Sequence, residues 1–231
     1  MSGTLYIVAT PIGNLEDITL RALRVLKEVD IIVAEDTRVT SKLTTHFQIP
    51  TPIKSYHQHS SEEKKLEILQ RLQKGENIAL VCDAGTPGIS DPGNELIDFL
   101  LEGDQNIKII PIPGASAITS ALSVSGFRAD KFLFLGFLPK KKRKKLFEWI
   151  KEGSPSTSSG RGITLAFYES PYRILKTLSV LEENFRSDRR IFIARELTKL
   201  HETLYRGTIK EVREVLGKEK VRGEIVVIVE S

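Results

Sequence analysis

Glu35, Asp36 and Arg38 follow directly on the apolar run IIVA, and Arg195, Glu196, Lys199, His201 and Glu202 follow on the run IFIA. A carboxylate at the end of a strand can take a proton, and a neighbouring cation can steady a developing oxyanion. Glu35, Asp36, Arg38, Glu196 and Lys199 are therefore candidate catalytic groups. Surface ion pairing is the alternative for each, and the sequence does not assign the base. Three of the four histidines, His46, His57 and His59, read as surface or loop residues. Cys82 reads as a small core residue rather than a nucleophile.

Four loops rich in Gly, Pro, Asp, Ser and Thr follow apolar runs: residues 10–14, 35–38, 83–93 and 113–117. The third holds three Gly, two Pro and two Asp in eleven residues. Glycines let backbone approach a ligand closely, and prolines fix the loop's shape. A carboxylate such as Asp83 can accept hydrogen bonds from ribose hydroxyls or an ammonium, whereas Asp91 reads as a cap on the next helix. None of the loops carries a Walker motif or G-x-G-x-x-G, which disfavours nucleoside triphosphates and nicotinamide cofactors. A small ligand combining an adenosine with a zwitterion fits these residues best.

Lys140, Lys141, Lys142, Arg143, Lys144 and Lys145 are six adjacent cations, in a chain whose net charge is 34 − 30 = +4. This is a local basic patch on a near-neutral body, suited to a polyanion such as RNA. A solvated loop is the alternative. Tyr56, Tyr168 and Tyr172 are candidate stacking groups for an unpaired base, with packing at the edge of the core as the alternative.

These loops need a scaffold, and the chain supplies one in alternating apolar and amphipathic segments. Strands are expected at 5–9, 31–34, 78–82, 107–112, 132–137, 163–168, 190–194 and 224–229. Helices are expected at 17–29, 60–74, 94–102, 115–124 and 144–151, with two more after Ser170-Pro171 and after Thr208. Ser60 with Glu63, and Thr208 with Glu211, have capping-box spacing. The alternation predicts mainly parallel sheets flanked by helices. Pro111, Pro113 and Gly114 punctuate the middle, dividing the chain into α/β domains at 1–113 and 114–231, and 154–162 reads as a flexible loop. At 231 residues, 40% hydrophobic and 28% charged, the chain has the composition of a globular protein. It has no run of 18 apolar residues and no secretory signal pattern, so no membrane association and a cytoplasmic location are expected. A single cysteine excludes an internal disulfide and a Cys-rich zinc site, and no metal is expected.

The stretches VATPIGNLEDITLRAL, AEDTR, CDAGTPGISDPG, PGASA, FYESPYRI, ARELTKLHE and RGEIVVIVE occur in this order along the chain. As a set they resemble the ribosomal RNA small subunit methyltransferase I family of the tetrapyrrole methylase superfamily. The resemblance implies two α/β domains of the tetrapyrrole methylase type with the donor site in the cleft between them, S-adenosylmethionine as cofactor, and a homodimer. It implies 2′-O-methylation of a cytidine ribose in the decoding region of 16S ribosomal RNA, as naked RNA or in the small ribosomal subunit. It implies donor contacts at Ile12, Asp83, Ala84, Gly85, Thr86, Ser116, Ala117, Phe167 and Leu197. Tetrapyrrole-modifying members usually carry G-x-G-P-G in the first loop, where this chain has Ala9-Thr10-Pro11-Ile12-Gly13. The departure favours the ribosomal RNA branch over a methyltransferase of tetrapyrroles or other small metabolites. A purely RNA-binding assembly factor is the reading from another class, and it would have no use for the 83–93 loop.

Overall fold

The structure is a computed structural model that describes residues 2–91, 93–153, 163–185 and 188–230. The loop expected at 154–162 lies outside them. The chain divides into two compact units, Met1–Ser116 and Ala117–Ser231, three residues beyond the break expected after Pro113.

The first unit is a doubly wound parallel sheet. Its elements are β1 (Thr4–Val8), a 3-10 turn (Leu15–Asp17), α1 (Leu20–Glu28), β2 (Ile31–Ala34), α2 (Thr37–His46), β3 (Ile53–Ser55), α3 (Glu62–Gln73), β4 (Ile78–Val81), α4 (Asn94–Gly103) and β5 (Lys108–Ile112). The strand order is β3-β2-β4-β1-β5, and each pairing is parallel. Every residue of β2 and β4 is buried, as expected for strands covered on both faces. Alternation along β2 divides the core: Ile31 and Val33 pack with Leu69, Leu72, Leu96 and Leu100, while Ile32 and Ala34 pack with Val25, Leu26 and Leu43. Helices α3 and α4 therefore cover one face, and α1 and α2 the other. Thr19 starts α1 by accepting from the Ala22 N–H at 3.0 Å. The expected Ser60–Glu63 capping box does not form. Ser61 is the N-cap of α3 and makes no side-chain cap, because Ser60 Oγ accepts instead from the His57 N–H at 2.9 Å.

The second unit comprises α5 (Ala117–Ser125), β6 (Phe132–Phe137), α6 (Arg143–Gly153), β7 (Thr164–Glu169), α7 (Ile174–Asn184), β8 (Arg190–Arg195), β9 (Thr203–Thr208), α8 (Ile209–Leu216) and β10 (Ile225–Val229). The sheet order is β6-β7-β10-β8-β9. Only β6 and β7 run parallel; the other three pairings are antiparallel. This corrects the expectation of a mainly parallel sheet. The connection 196–202 is too short for a crossover, so β9 must return antiparallel beside β8. Helix α5 packs on one face through Ile118, Ala121 and Leu122; α6, α7 and α8 cover the other. Thr208 and Glu211 form the expected capping box. Helix α7 begins at Ile174, later than expected, because the Ser170 carbonyl accepts from the N–H groups of Arg173 and Ile174 in a leading turn. Among the described residues no helix is long and apolar enough to cross a membrane.

Candidate active site

The first unit gathers its special loops at the carboxyl ends of its strands, where open α/β sheets bind ligands. Thr10, just past β1, and Gly85, past β4, each donate an N–H to the other's carbonyl, at 2.9 and 3.0 Å. Thr10 Oγ1 also donates to the Cys82 carbonyl at 3.2 Å. Gly85 has φ of +81°, a conformation glycine adopts without penalty. A Cβ there would lie 3.4 Å from Ile12 Cγ2 and 3.7 Å from the Ala115 carbonyl oxygen. At Gly114 a Cβ would come within 3.0 Å of the Ala9 Cβ. Small residues and glycines thus bring Ile12, Ala84, Gly85, Thr86 and the 113–116 turn together. The loop after β2 joins them through the Asp36 N–H, which donates to Asp83 Oδ1 at 3.1 Å.

This region is acidic. Burial pushes the Glu35 carboxyl above its ordinary value, and the nearby charges of Asp83 and Asp91 push it further. Asp83 is raised by burial, which outweighs the lowering hydrogen bond from the Asp36 N–H. Asp91 is raised by burial and then by Asp83. Asp36 differs: its hydrogen bonds from the Arg38 guanidinium, at 2.6 Å to Nη2 and 3.0 Å to Nε, hold it down at about 2. Asp36 also accepts from the Arg38 N–H at 2.8 Å, capping α2. Asp91 does not cap α4, whose N-cap is Gly93; it lies beside the buried Cys82 thiol, itself pushed up by burial and by Asp91. Among the described residues no group of three or more His, Cys, Asp or Glu could hold a metal ion.

In the second unit, Glu196 and Lys199 form a braced turn rather than a free acid–base pair. Glu196 Oε1 accepts from the Glu224 N–H at 2.9 Å and from Lys199 Nζ at 3.0 Å. Those contacts lower its pKa, the Glu224 amide most. Burial pulls the Lys199 ammonium down, but ion pairs with Glu224 and Glu196 outweigh it and its pKa is raised. Glu196 and Thr198 have φ of +53° and +66°. Between these two left-handed residues, Leu197 leans on the α5 side of the sheet. Phe167 is wholly buried on the opposite side. The β6–β7 ladder is irregular between Phe134 and Phe137, and among the described residues Phe167 has no partner in it.

The basic run is only partly a solvated loop. Lys140, Lys141, Lys142 and Lys145 are exposed. Arg143 is buried, with Nη1 donating to Thr177 Oγ1 at 2.6 Å and Nε to the Pro139 carbonyl at 2.9 Å. Arg143 is therefore withdrawn from the candidate RNA contacts. Among the tyrosines, Tyr56 is core and Tyr168 packs on Phe134 and Phe137; Tyr172 is 95% exposed. His201 is exposed. Two contributors escaped sequence reasoning: Asp91, read there as a cap, and Gly223, whose place before the final strand in RGE was the only signal.

A parallel sheet with ligand-type loops at its strand ends is thus followed by a mixed α/β unit. The model of the tetrapyrrole (corrin/porphyrin) methylases matches residues 4–213. Solved structures of the same fold include the methyltransferase CobJ, with a TM-score of 0.70 and 18% identity over 100% of this chain and 95% of that one. Another is uroporphyrin-III C-methyltransferase from Thermus thermophilus complexed with S-adenyl homocysteine, at 0.65 and 20% over 99% and 98%. Ribosomal RNA small subunit methyltransferase I of Synechocystis sp. is 46% identical over 98% of this chain and 78% of its own length. Its counterpart from Thermotoga maritima is 45% identical over 98% and 97%. The chain belongs to the ribosomal RNA small subunit methyltransferase I family of the tetrapyrrole methylases.

Proposed function

We propose that this chain transfers a methyl group from S-adenosylmethionine to small-subunit ribosomal RNA, at the 2′-hydroxyl of a cytidine ribose in the decoding region. The observation that carries the reading is the Thr10–Gly85 clasp, which draws the loops after β1, β2, β4 and β5 into one small-residue cradle edged by carboxylates. Ile12, Asp83, Ala84, Gly85, Thr86 and Ser116 fit the donor: glycines admit it closely, and Asp83 can accept from its hydroxyl or ammonium hydrogens. Ala117, Phe167 and Leu197 complete the proposed contacts. When bound, the donor supplies a methyl group already activated on a sulfonium.

The protein's own work is to orient the ribose, exclude water and receive a proton. Glu35 is the proposed acceptor. Its raised proton affinity brings it closer to working pH than the other carboxylate candidates, since Asp36 is held by Arg38 and Glu196 by Lys199 and the Glu224 amide. Arg38 is exposed beside it and can steady negative charge on the approaching RNA. Lys140, Lys141, Lys142 and Lys145 are the proposed phosphate contacts, together with Lys144 by its place in the run. The enzyme works in the cytoplasm as a homodimer, a reading supported by family resemblance. Light scattering at the mass of a single chain would overturn the dimer.

The test incubates the protein with isotopically labelled donor and either naked small-subunit RNA or assembled subunits, then maps ribose methylation. A single labelled cytidine is expected. No label on either RNA substrate, with label on a tetrapyrrole supplied in a parallel incubation, would overturn the reading.

A further inference from the structure

The geometry points to a preorganised platform for single-stranded RNA, in which the ring of Tyr172 stacks on an unpaired base while Lys140, Lys141 and Lys142 hold the flanking phosphates. Arg143 and Glu169 act as positioning residues beneath it. The inference rests on the reading of this chain as an RNA methyltransferase and names the surface that receives the substrate strand.

Glu169, at the end of β7, is fully buried. Its Oε1 pairs with Arg173 Nη2 at 2.7 Å and accepts from the Ser170 N–H at 2.8 Å. Its Oε2 accepts from Thr177 Oγ1 at 2.5 Å and lies 3.6 Å from Arg143 Nη1. Both guanidinium groups then reach across to the chain leaving β6. Arg143 Nε donates to the Pro139 carbonyl at 2.9 Å, and Arg173 Nη1 to the Leu138 carbonyl at 3.3 Å. One buried carboxylate thus ties the 138–142 turn, which carries the lysines, to the 170–173 turn, which carries Tyr172.

A buried carboxylate with two arginines is costly to desolvate, and here it holds two turns in one arrangement. What it fixes here is exposed. Tyr172 is 95% and Phe137 60% exposed, and Lys140, Lys141 and Lys142 are all exposed. Lys142 has φ of +64°, a left-handed conformation that persists only where the surroundings impose it. An exposed aromatic on one turn and adjacent cations on a second turn tied to it are the chemistry of single-strand recognition, because each base has a π-face and each phosphate a charge. A duplex offers the phosphates but keeps its bases stacked inside.

Anisotropy titrations of a fluorescein-labelled, cytidine-rich single strand, and of the duplex it forms with its complement, test the platform. Tyr172→Ala, on an exposed side chain, is expected to weaken single-strand binding about tenfold, within the range for losing one stacked base. Duplex binding and the salt slope should stay as in the wild type. Arg143→Lys keeps the charge and is expected to weaken single-strand binding at least about threefold; a mere phosphate ligand would be rescued by lysine. Unchanged single-strand affinity in Tyr172→Ala overturns the proposal, as does an equal loss on the duplex or equal competition by polyglutamate. Methyl transfer by the wild type, assayed in the same preparation, judges the enzymatic reading separately. Transfer with unchanged Tyr172→Ala binding removes only the platform, while the expected binding pattern without transfer removes only the catalysis.

Discussion

Thr10 and Gly85 lie 75 residues apart in a chain of 231, yet they exchange both backbone hydrogen bonds outside any strand. The pair makes the loop after β1 and the loop after β4 a single piece of backbone. The two loops then share one shape, so a change in either is felt at Ile12 and at Asp83 together.

Gly85→Val tests that coupling. A β-branched residue is strained at φ of +81°, at a cost of about 1–3 kcal/mol, and its side chain would crowd Ile12. Calorimetry should show donor binding abolished while most of the fold survives. Unchanged affinity in a folded variant would place the donor elsewhere.

Glu35→Gln should lower methyl transfer by roughly 10²–10⁴-fold, the usual worth of a general base, and leave donor affinity unchanged. In the wild type the acid limb of the rate profile should lie above the ordinary glutamate value of 4.5, since burial and then Asp83 and Asp91 raise Glu35. Asp91→Asn should move that limb to lower pH. A limb at the same pH in both proteins would remove Glu35 from the role.

Asp91 also makes a prediction about stability. Its pKa is raised in the folded state, so the fold holds this proton more tightly than the unfolded chain does. The resulting stability is fully present below the ordinary value of 3.8 and is lost as pH rises through the higher folded value. Asp91→Asn should therefore melt at a higher temperature than the wild type at neutral pH, with the difference shrinking as the pH falls below the aspartate range. Thermal unfolding across that range measures it.

Gly223→Ala should be disruptive out of proportion to one methyl group. Gly223 has φ of +85°, and a Cβ there would lie 2.3 Å from Glu196 Cδ. Glu196 would have to release the Glu224 amide and Lys199. A loss of about 1–3 kcal/mol in denaturant unfolding is expected. Adding Glu196→Ala removes the obstructing carboxylate, so the two losses should fall short of additive.

The exposed lysines predict a salt effect. Changing Lys140, Lys141 and Lys145 to Ala should flatten the salt dependence of single-strand binding by about two in logarithmic slope, near 0.7 for each phosphate no longer neutralised. Donor affinity should not change. Identical slopes would return the run to a solvated loop.

Most of the scaffold was legible because buried strands announce themselves: IIVA, IALV and IVVIV are β2, β4 and β10. The strand-end loops stood out for the same reason in reverse, as dense special residues where a plain turn needs few. Helix α2 was not legible, since its buried positions include Thr40 and Thr44 beside Leu43, which a count of apolar residues passes over. Strand β9 was missed because it buries only Tyr205 fully, and with it went the antiparallel character of its sheet. Arg143 was misread because charge is visible in a sequence while the buried Glu169 that claims it is 26 residues away.

The place of β1 has a consequence for how the chain is made. It precedes the other strands of its sheet in the chain, yet it lies between β4 and β5, pairing Leu5 with Ile78 and with Ile109. The first neighbour, β4, is complete only at residue 81 and the second, β5, only at residue 112. The apolar segment LYIV waits without any partner until β4 is made and with one open edge until β5 follows, and long-range parallel pairing of this kind closes slowly. The nascent first unit should thus be most vulnerable to aggregation and most dependent on chaperones just before β5 emerges, and truncations that end before Lys108 should fail to fold however intact their local helices remain.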